Sequence, residues 1–263
     1  NYGINFVRNF ENGEYTTIVP VEVATYDELV AALANGGVIK LTADITATGA
    51  VDGTDANIDL NSKTLTLNVG GNNFFGDSKV KNGYINITGC VASGDCIIGI
   101  GDYSHSATLT FDNVNVTGDG YSSAFAVLYV YNSSELNING GSVVVSNDNA
   151  SAGGVIKAHK AADGIINIVG TEGNPVELTF NNAKIGMLDG TVLMNYVDLD
   201  ITGGANAINQ SALTIKNSTL DITGADKKYF DMDKMTTSIV APVSKLESIK
   251  PFTVIPQDSL EFR

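Results

Sequence analysis

Side chains that could bind a ligand recur in short strand-like segments in the middle of the chain. Tyrosine rings can stack on sugar rings, and lysine or histidine can hydrogen-bond to hydroxyl and carboxylate groups. This combination predicts a surface that binds a glycan or a partner protein; the alternative is that aromatic residues simply favour strand surfaces. The candidate ligand-binding residues, which include both histidines of the chain, are Tyr103, His105, Tyr129, Tyr131, Lys157, His159 and Lys184.

Carboxylates are a second group that could do chemistry, because a pair of them can hydrolyse a glycosidic bond. Asp198, Asp200 and Asp221 lie in neighbouring strand-like segments and could converge. Each alternates with apolar residues, however, and that is also the pattern of plain solvent-facing strand residues. We therefore predict no catalytic residue and keep a carboxylate-based site as an alternative.

Motifs for metal, nucleotide and nucleophile sites are incomplete. Asp231 and Asp233 resemble a fragment of a calcium loop, but the other oxygen ligands and the glycine of such a loop are missing. The segment 99–101 lacks the helix and lysine of a phosphate-binding loop, and neither histidine accompanies a serine elbow motif. The sequence thus predicts no metal and no cofactor, with Ca²⁺ at the Asp231–Asp233 fragment as the alternative.

The two cysteines, Cys90 and Cys96, enclose a short loop of small residues. Such a loop can double back and bring two thiols into disulfide geometry. The spacing is not C-x-x-C, and few other ligands for zinc lie nearby. We predict a disulfide, which implies an oxidising compartment, with free thiols and a metal site as alternatives.

The charge of the chain is strongly acidic, with 15 Lys and Arg against 29 Asp and Glu and a formal net charge of -14. Such a surface repels nucleic-acid phosphates and anionic lipids, so neither is a predicted partner. No apolar run approaches the roughly 18 to 20 residues of a membrane span, and no insertion is predicted. Because no export signal opens the sequence, the chain is expected to be either cytosolic or exported with its signal removed.

Two phrases recur along the chain and indicate a solenoid. One phrase has two alternating apolar residues followed by Thr-Gly, and it ends at Gly89, Gly118, Gly203 and Gly224. A strand-like phrase that ends in asparagine precedes it, and similar phrases occur elsewhere. Most of these asparagines recur every 21 to 31 residues or so, as in solenoids whose loops differ in length. One interval, from 139 to 195, is 56 residues; it divides into two turns of 28, and the strand-like segment 165–168 supplies the strand between them. The asparagines are Asn61, Asn82, Asn113, Asn139, Asn195 and Asn217.

A third strand-like segment follows the Thr-Gly phrase, at 97–100, 125–130, 155–158 and 184–188. Three strands per turn, stacked about 4.8 Å apart, form three parallel sheets around an apolar core. The predicted fold is therefore all-β, a single-stranded parallel β-helix of about eight coils whose corner asparagines stack into a ladder. The alternative is a two-sheet sandwich, whose hairpin turns would recur about every 8 to 12 residues.

Alternation along the third strand of each coil assigns the candidate residues to a side. Tyr129 and Tyr131 then point outward, as do Lys157 and His159 on the next coil and Lys184 one coil later. Stacking brings outward residues of adjacent coils to about 5 Å from one another. The residues expected to face the core are Ala126, Leu128, Val130, Ile156, Ala158, Ile185 and Met187.

The two ends depart from the repeat. The segment 25–28 is a capping box, and the amphipathic pattern after it ends at 35–37, so a short helix is predicted to cap the first coil. Beyond Gly224 the repeat blurs. The predicted divisions are an N-terminal segment 1–24, a capping helix 25–36, a parallel β-helix 37–230 and a C-terminal cap or tail 231–263.

The segments 25–33 and 37–45 resemble the opening of pectate-lyase-like right-handed β-helix proteins. The segment 59–67 is similar to a phrase common in exported solenoids of gut bacteria. The resemblance covers roughly residues 23 to 224 and implies a right-handed β-helix in an exported bacterial protein. That fold hosts pectin lyases and hydrolases, phage tailspikes and passive adhesins, so function must be argued from a site.

The catalytic motifs that this resemblance would imply are missing. Polygalacturonase-like members use Asp pairs with Gly-His-Gly and Arg-Ile-Lys motifs, and neither of those motifs occurs. Pectate-lyase-like members use Ca²⁺ and a basic residue, usually arginine, but Arg8 and Arg263 are the only two arginines and lie near the ends. We therefore expect a non-catalytic, adhesin-like protein, extracellular or on a bacterial cell surface, that binds a glycan or a host or cell-surface protein through one sheet face. The alternatives are a polysaccharide lyase or glycoside hydrolase with an atypical site, and a phage tailspike-type fragment.

Overall fold

The computed structural model of the protein describes most of the central chain and short pieces of both ends. Within these residues the chain is predominantly β-strand, with one α-helix. No helix among them is long and apolar enough to cross a membrane. The described residues are 6–8, 15–67, 73–88, 96–119, 126–146, 155–159, 164–181, 185–188, 190–202, 206–209, 212–223, 236–240 and 254–255.

Short strands and turns alternate along the described chain. The N-terminal elements are β1 (Phe6–Arg8), β2 (Tyr15–Thr17), β3 (Val21–Val23), α1 (Tyr26–Asn35), β4 (Gly37–Leu41), β5 (Ile45–Ala47), β6 (Asp52–Gly53), β7 (Ala56–Asp59), β8 (Thr64–Leu67) and β9 (Asn73–Phe75). The central elements are β10 (Ser78–Thr88), β11 (Cys96–Ile100), β12 (Thr108–Asp119), β13 (Ala126–Val130), β14 (Glu135–Ser146), β15 (Ile156–Ala158), β16 (Ile165–Val169) and β17 (Val176–Asn181). The C-terminal elements are β18 (Ile185–Leu188), β19 (Thr191–Asn195), β20 (Val197–Thr202), β21 (Asn206–Asn209), β22 (Ala212–Lys216), β23 (Thr219–Thr223), β24 (Thr236–Val240) and β25 (Val254–Ile255).

The strands stack into three parallel arrays, in each of which the spatial order follows the chain order. Array one consists of β3, β4, β7, β10, β12, β14, β16, β19, β22, β24 and β25. Array two consists of β5, β8, β10, β12, β14, β17, β20 and β23, and array three of β6, β9, β11, β13, β15, β18 and β21. The long strands β10, β12 and β14 bend at a corner and so belong to arrays one and two.

The strand pairings within the three arrays are parallel. Outside the arrays, β1 and β2 pair with each other in the antiparallel direction. The three arrays confirm the predicted all-β class with long parallel sheets. A sandwich of antiparallel hairpins does not fit the described strands, since successive strands of each array run in the same direction.

A continuous apolar core lies between the three arrays. Alternate residues of each strand point into it, as the period of two in a strand requires. In array one, for example, Ile58, Val80, Phe111, Ile138 and Ile168 follow one another in register and are almost fully buried. Burial of each such side chain stabilises the fold by about 1.5 to 3 kcal/mol before the loss of chain entropy is considered.

The corner between arrays one and two is formed by residues in the left-handed backbone region. Asn82, Asn113, Tyr196 and Asn217 occupy this region at the corner, with φ between 47° and 57°, and Gly140 does so with φ of 74°. Glycine and asparagine suit this conformation because neither carries the penalty of a branched or bulky side chain there. The corner asparagines of the repeat therefore fit a preference of the backbone, although Gly140 and Tyr196 also occupy the position.

One step of the predicted asparagine ladder forms, since the Asn217 side-chain amide donates to Asn195 Oδ1 at 3.0 Å, but two of the predicted members do not lie at the corner. Asn139 pairs with Asp112 and Asn195 pairs with Lys216, so both lie one residue before the corner. Asn61 donates its side-chain amide to the Leu41 carbonyl at 3.0 Å, not to another asparagine. Any residue that tolerates positive φ can make the corner, and the corner therefore does not fix an asparagine at one register position.

Helix α1 is present where its capping box predicts it. Thr25 is the N-cap, and its hydroxyl accepts from the Glu28 amide while Glu28 accepts from the Thr25 amide. The helix buries Leu29 and Leu33 in the core and packs against β3 to β6. Backbone N–H groups, first that of Ala24, hold the pKa of Glu28 below its ordinary value.

Two strands continue array one beyond residue 230, where the predicted repeat ends. β24 pairs with β22, and β25 pairs with β24, both in parallel. Their segments lack the Thr-Gly phrase that marked the earlier repeats. The parallel pairing of strands therefore extends further along the chain than the sequence phrase by which the repeat is recognised.

Candidate functional site

The candidate site is built on the outer face of array three. Strands β11, β13 and β15 are neighbours there, and the register pairs Gly99 with Tyr129 and Tyr129 with Lys157. Residues paired in this way point to the same side of a sheet. The Lys157 ammonium accordingly lies 5.9 Å from the centre of the Tyr129 ring.

A bulge in β13 changes the side on which one predicted core residue lies. The amides of Val127 and Leu128 both donate to the Val155 carbonyl, at 3.0 and 2.9 Å. Two residues therefore oppose one, and the alternation shifts by one position. Ala126, predicted to face the core, instead clusters with Tyr129 and Tyr131 outside it, whereas Leu128 and Val130 do face the core.

Four aromatic rings from three segments of the chain meet on this outer face, and we call Tyr103, Tyr129, Tyr131 and His159 the aromatic cluster. Tyr129 and Tyr131 lie edge to face with ring centres 4.7 Å apart. Tyr103 packs edge to face against Tyr131 at 5.1 Å and against His159 at 5.0 Å. His159 stacks on Tyr131 with an interplanar angle of 23°, and its Nδ1 is 2.5 Å from the Tyr129 hydroxyl.

The turn between β11 and β12 carries Tyr103 into this cluster. Gly101 begins the turn with φ of 70°, and a β-carbon there would lie 2.3 Å from the Ser134 hydroxyl. Asp102 then accepts hydrogen bonds from the amides of Ser104 and His105 at 2.6 and 2.7 Å, and its own amide donates to the His105 carbonyl. The Ser104 amide first, and then the His105 side chain and amide, hold the pKa of Asp102 below its ordinary value.

The aromatic cluster has buried members and members that solvent can reach. Tyr129 and Tyr131 are only 4% and 7% exposed, although they lie on the outer side of the sheet as predicted. Tyr103 is 69% exposed, and Lys157 and His159 are partly exposed. A ligand can therefore reach Tyr103, Lys157 and His159, which we call the Tyr103 surface, whereas the two buried tyrosines support it.

His105 is not brought into the aromatic cluster. Its exposed ring lies 3.1 Å from the Asp102 carboxylate, on a cleft of about 480 Å³. Asp52, Asp55 and Asp77 also line this cleft. Sequence reasoning missed it, because Asp52 lies in β6 while the others stand in turns of different length after β6, β9 and β11, and these segments share no repeated phrase.

The carboxylates that could have converged lie on array two. Asp198 and Asp200 are exposed on β20 and alternate there with buried apolar residues, as solvent-facing strand residues do. The register places Asp221 of β23 beside Asp200. Among the described residues no three His, Cys, Asp or Glu side chains are arranged to hold a metal ion.

Other predicted site residues lie outside the described residues. They are Lys184, Cys90, Asp231 and Asp233. Cys96 is described by its backbone in β11 alone, so the disulfide between Cys90 and Cys96 stays a prediction.

The chain was compared with protein-family models, curated proteins and solved structures. It matches no family model, no curated protein and no solved structure. A function for the chain therefore depends on the chemistry of the surface around Tyr103.

Proposed function

We propose that this chain is a right-handed parallel β-helix of an exported, adhesin-like protein that binds a saccharide through the Tyr103 surface without catalysing a reaction. The support for the β-helix is the order in which the chain visits the arrays. It passes from array one to array two, then to array three, and back to array one beside the strand it left. A parallel stack with this order closes around its core as a solenoid.

The observation that carries the binding function is that Tyr103 is exposed and yet held in place. Its ring packs on Tyr131 and His159, and both of these lie on strands or strand ends of array three. An exposed aromatic ring of fixed orientation can stack on a sugar without first losing rotamer freedom. His159 beside it, and Lys157 two residues earlier on the same segment, supply polar groups for the sugar hydroxyls.

The remaining features support a surface-exposed binding protein. A net charge of -14 opposes self-association and favours solubility outside the cell. One exposed ring and two polar side chains make a weak site, because small contact areas yield little net binding free energy. Adhesion through such sites depends on many copies acting together, which multiplies their avidity.

A glycan array followed by biolayer interferometry tests the proposal. We expect the wild-type chain to bind a saccharide, Tyr103→Ala to bind it at least about tenfold more weakly, and Tyr84→Ala to bind it normally, since tenfold corresponds to about 1.4 kcal/mol. Tyr84 is a matched control because it is also an exposed tyrosine, at 48%, but stands on array two. An array without any bound saccharide, or equal loss in the two variants, contradicts the proposal.

A glycoside hydrolase is the second candidate, and the cleft beside His105 is the observation that favours it. The cleft is large enough for a sugar unit, and Asp52, Asp55, Asp77 and Asp102 bring carboxylates to its wall. Hydrolysis of a glycosidic bond requires two carboxyl groups flanking that bond. Release of reducing ends from polysaccharides, abolished by Asp77→Asn but not by Tyr103→Ala, would establish this candidate in place of the binding protein.

A further inference from the structure

We infer that Tyr129 is a positioning residue that fixes His159 as the tautomer protonated on Nε2, and that the Tyr103 surface thereby selects saccharides that carry an oxyanion. The inference rests on the proposed function for its ligand, but its first step concerns the ligand-free protein. It assigns Tyr129 a role that its 4% exposure would otherwise exclude, since a ligand cannot reach its ring.

The contact between Tyr129 and His159 determines where the imidazole proton lies. The phenol hydroxyl and the His159 Nδ1 are 2.5 Å apart. A phenol keeps its proton at neutral pH and is a good donor, whereas the unprotonated imidazole nitrogen is a better acceptor than the phenol oxygen. The hydroxyl therefore donates to Nδ1, and neutral His159 carries its proton on Nε2.

The surrounding groups restrain the His159 ring from turning over, which would place Cδ2 instead of Nδ1 beside the Tyr129 hydroxyl. Tyr131 stacks against one side of the ring at 6.1 Å, and Tyr103 meets it edge to face. The His159 amide donates to the Val130 carbonyl at 2.8 Å, which ties its backbone to β13. With Nδ1 committed to Tyr129, Nε2 is the nitrogen left to donate to a ligand.

The two polar side chains beside the ring on the Tyr103 surface, Lys157 and His159, then have one chemical character. The Nε2–H of His159 and the ammonium of Lys157 are both donors, and the latter carries a positive charge. Hydrogen bonds from such donors to a carboxylate or a sulfate are shorter and stronger than those to a neutral hydroxyl. A sugar stacked on Tyr103 is therefore held more tightly when it bears an oxyanion.

Nitrogen-15 NMR of the imidazole rings in the ligand-free protein tests the positioning role. The chain has two histidines, so a His105→Gln variant assigns the His159 signals directly. We expect neutral His159 to be the Nε2-protonated tautomer, and Tyr129→Phe to give a mixture of the two tautomers. An Nδ1-protonated His159 in the wild-type protein overturns the role, whatever the ligand is, and so does an unchanged tautomer in Tyr129→Phe.

Binding of three probes with one neutral core tests the ligand class: lactose, 3′-sialyllactose and 3′-sulfated lactose. We expect both charged probes to bind at least about tenfold more tightly than lactose, and Tyr129→Phe and His159→Gln to lose most of that preference, while Tyr84→Phe keeps it. Binding of the sialylated but not the sulfated probe would identify a carboxylate as the oxyanion. Equal binding of all three, or no binding of either charged probe, overturns the oxyanion class. The proposed function itself falls only on the outcomes of the glycan-array experiment, which are an array without any bound saccharide or equal loss in Tyr103→Ala and Tyr84→Ala.

Discussion

Tyr103 packs edge to face on Tyr131, with ring centres 5.1 Å apart and an interplanar angle of 76°. The two residues come from a turn after β11 and from the end of β13, so the turn covers the outer face of the neighbouring strand. The cover explains why Tyr131 is buried on a face that points away from the main core. The orientation of the exposed Tyr103 ring therefore depends both on the turn that carries it and on the end of β13 on which it packs.

Replacing Tyr103 with alanine should therefore cost stability as well as binding. We expect the free energy of unfolding to fall by about 1 kcal/mol, the scale of one or two edge-to-face aromatic pairs. Chemical denaturation measures the change, and near-ultraviolet circular dichroism reports the altered setting of Tyr131. Tyr84→Ala is the control, and an equal loss in that variant would mean that Tyr103 is not specifically supported.

The corner at Gly141 should tolerate no side chain. Its φ is 83°, and a β-carbon would lie 2.2 Å from the Val114 carbonyl oxygen on the adjacent strand. Gly141→Ala is expected to lower the free energy of unfolding by about 3 kcal/mol through backbone strain and the displaced strand.

Gly173 is the matched control for this substitution, since nothing lies within 4 Å of a β-carbon built there. Gly173→Ala should change the free energy of unfolding by no more than about 0.5 kcal/mol. Equal melting temperatures of the two variants would contradict the close contact between β14 and β12 at this corner.

The parallel arrays could be predicted from the sequence because apolar and polar residues alternate visibly within each strand. Phrases such as Leu109–Phe111 and Val114–Val116 bury every second residue, and their recurrence at a solenoid spacing predicts stacking. The exact corner register could not be predicted. Asn139 precedes Gly140, and both satisfy a turn signal, but only the glycine takes the positive φ.

The candidate site could be predicted only in part for the same reason. Alternation correctly puts Tyr129 beside Lys157, since that pairing depends on local register. The bulge that moves Ala126 arises because two amides share the Val155 carbonyl, which no local pattern reveals. The burial of Tyr131 depends on how the turn from Gly101 to Ala107 folds. The alternation of residues along a strand does not predict the conformation of such a turn.

The turn that holds Tyr103 should weaken in acid. The pKa of Asp102 is lowered in the folded protein, first by the Ser104 amide, so the unfolded chain binds more protons below about pH 4. The stabilisation by this carboxylate is therefore present above the unfolded pKa and is lost as pH falls through the folded pKa. Thermal unfolding from pH 7 to pH 2 should show a difference between wild type and Asp102→Asn that shrinks over this window.

His105→Gln is the control for this titration, because it removes the imidazole and keeps both backbone amides that donate to Asp102. It should retain most of the dependence on pH, since the backbone amide of Ser104 is the largest cause of the lowered pKa. Loss of the whole dependence in His105→Gln would instead make the imidazole the group that matters.

Tyr196 should be a residue whose replacement stabilises the fold. It forms a corner with φ of 54°, while its amide donates to the Lys216 carbonyl and its carbonyl accepts from Val176. A bulky residue in the left-handed region costs about 1 to 2 kcal/mol, and asparagine, which stands at the equivalent corner position 217, tolerates that region well. Tyr196→Asn is therefore expected to raise the free energy of unfolding by about 1 kcal/mol, measured by chemical denaturation. Tyr196→Ala, which loses the ring without gaining the asparagine preference, should show no such gain, and a Tyr196→Asn protein less stable than wild type would mean that packing of the ring outweighs the backbone strain.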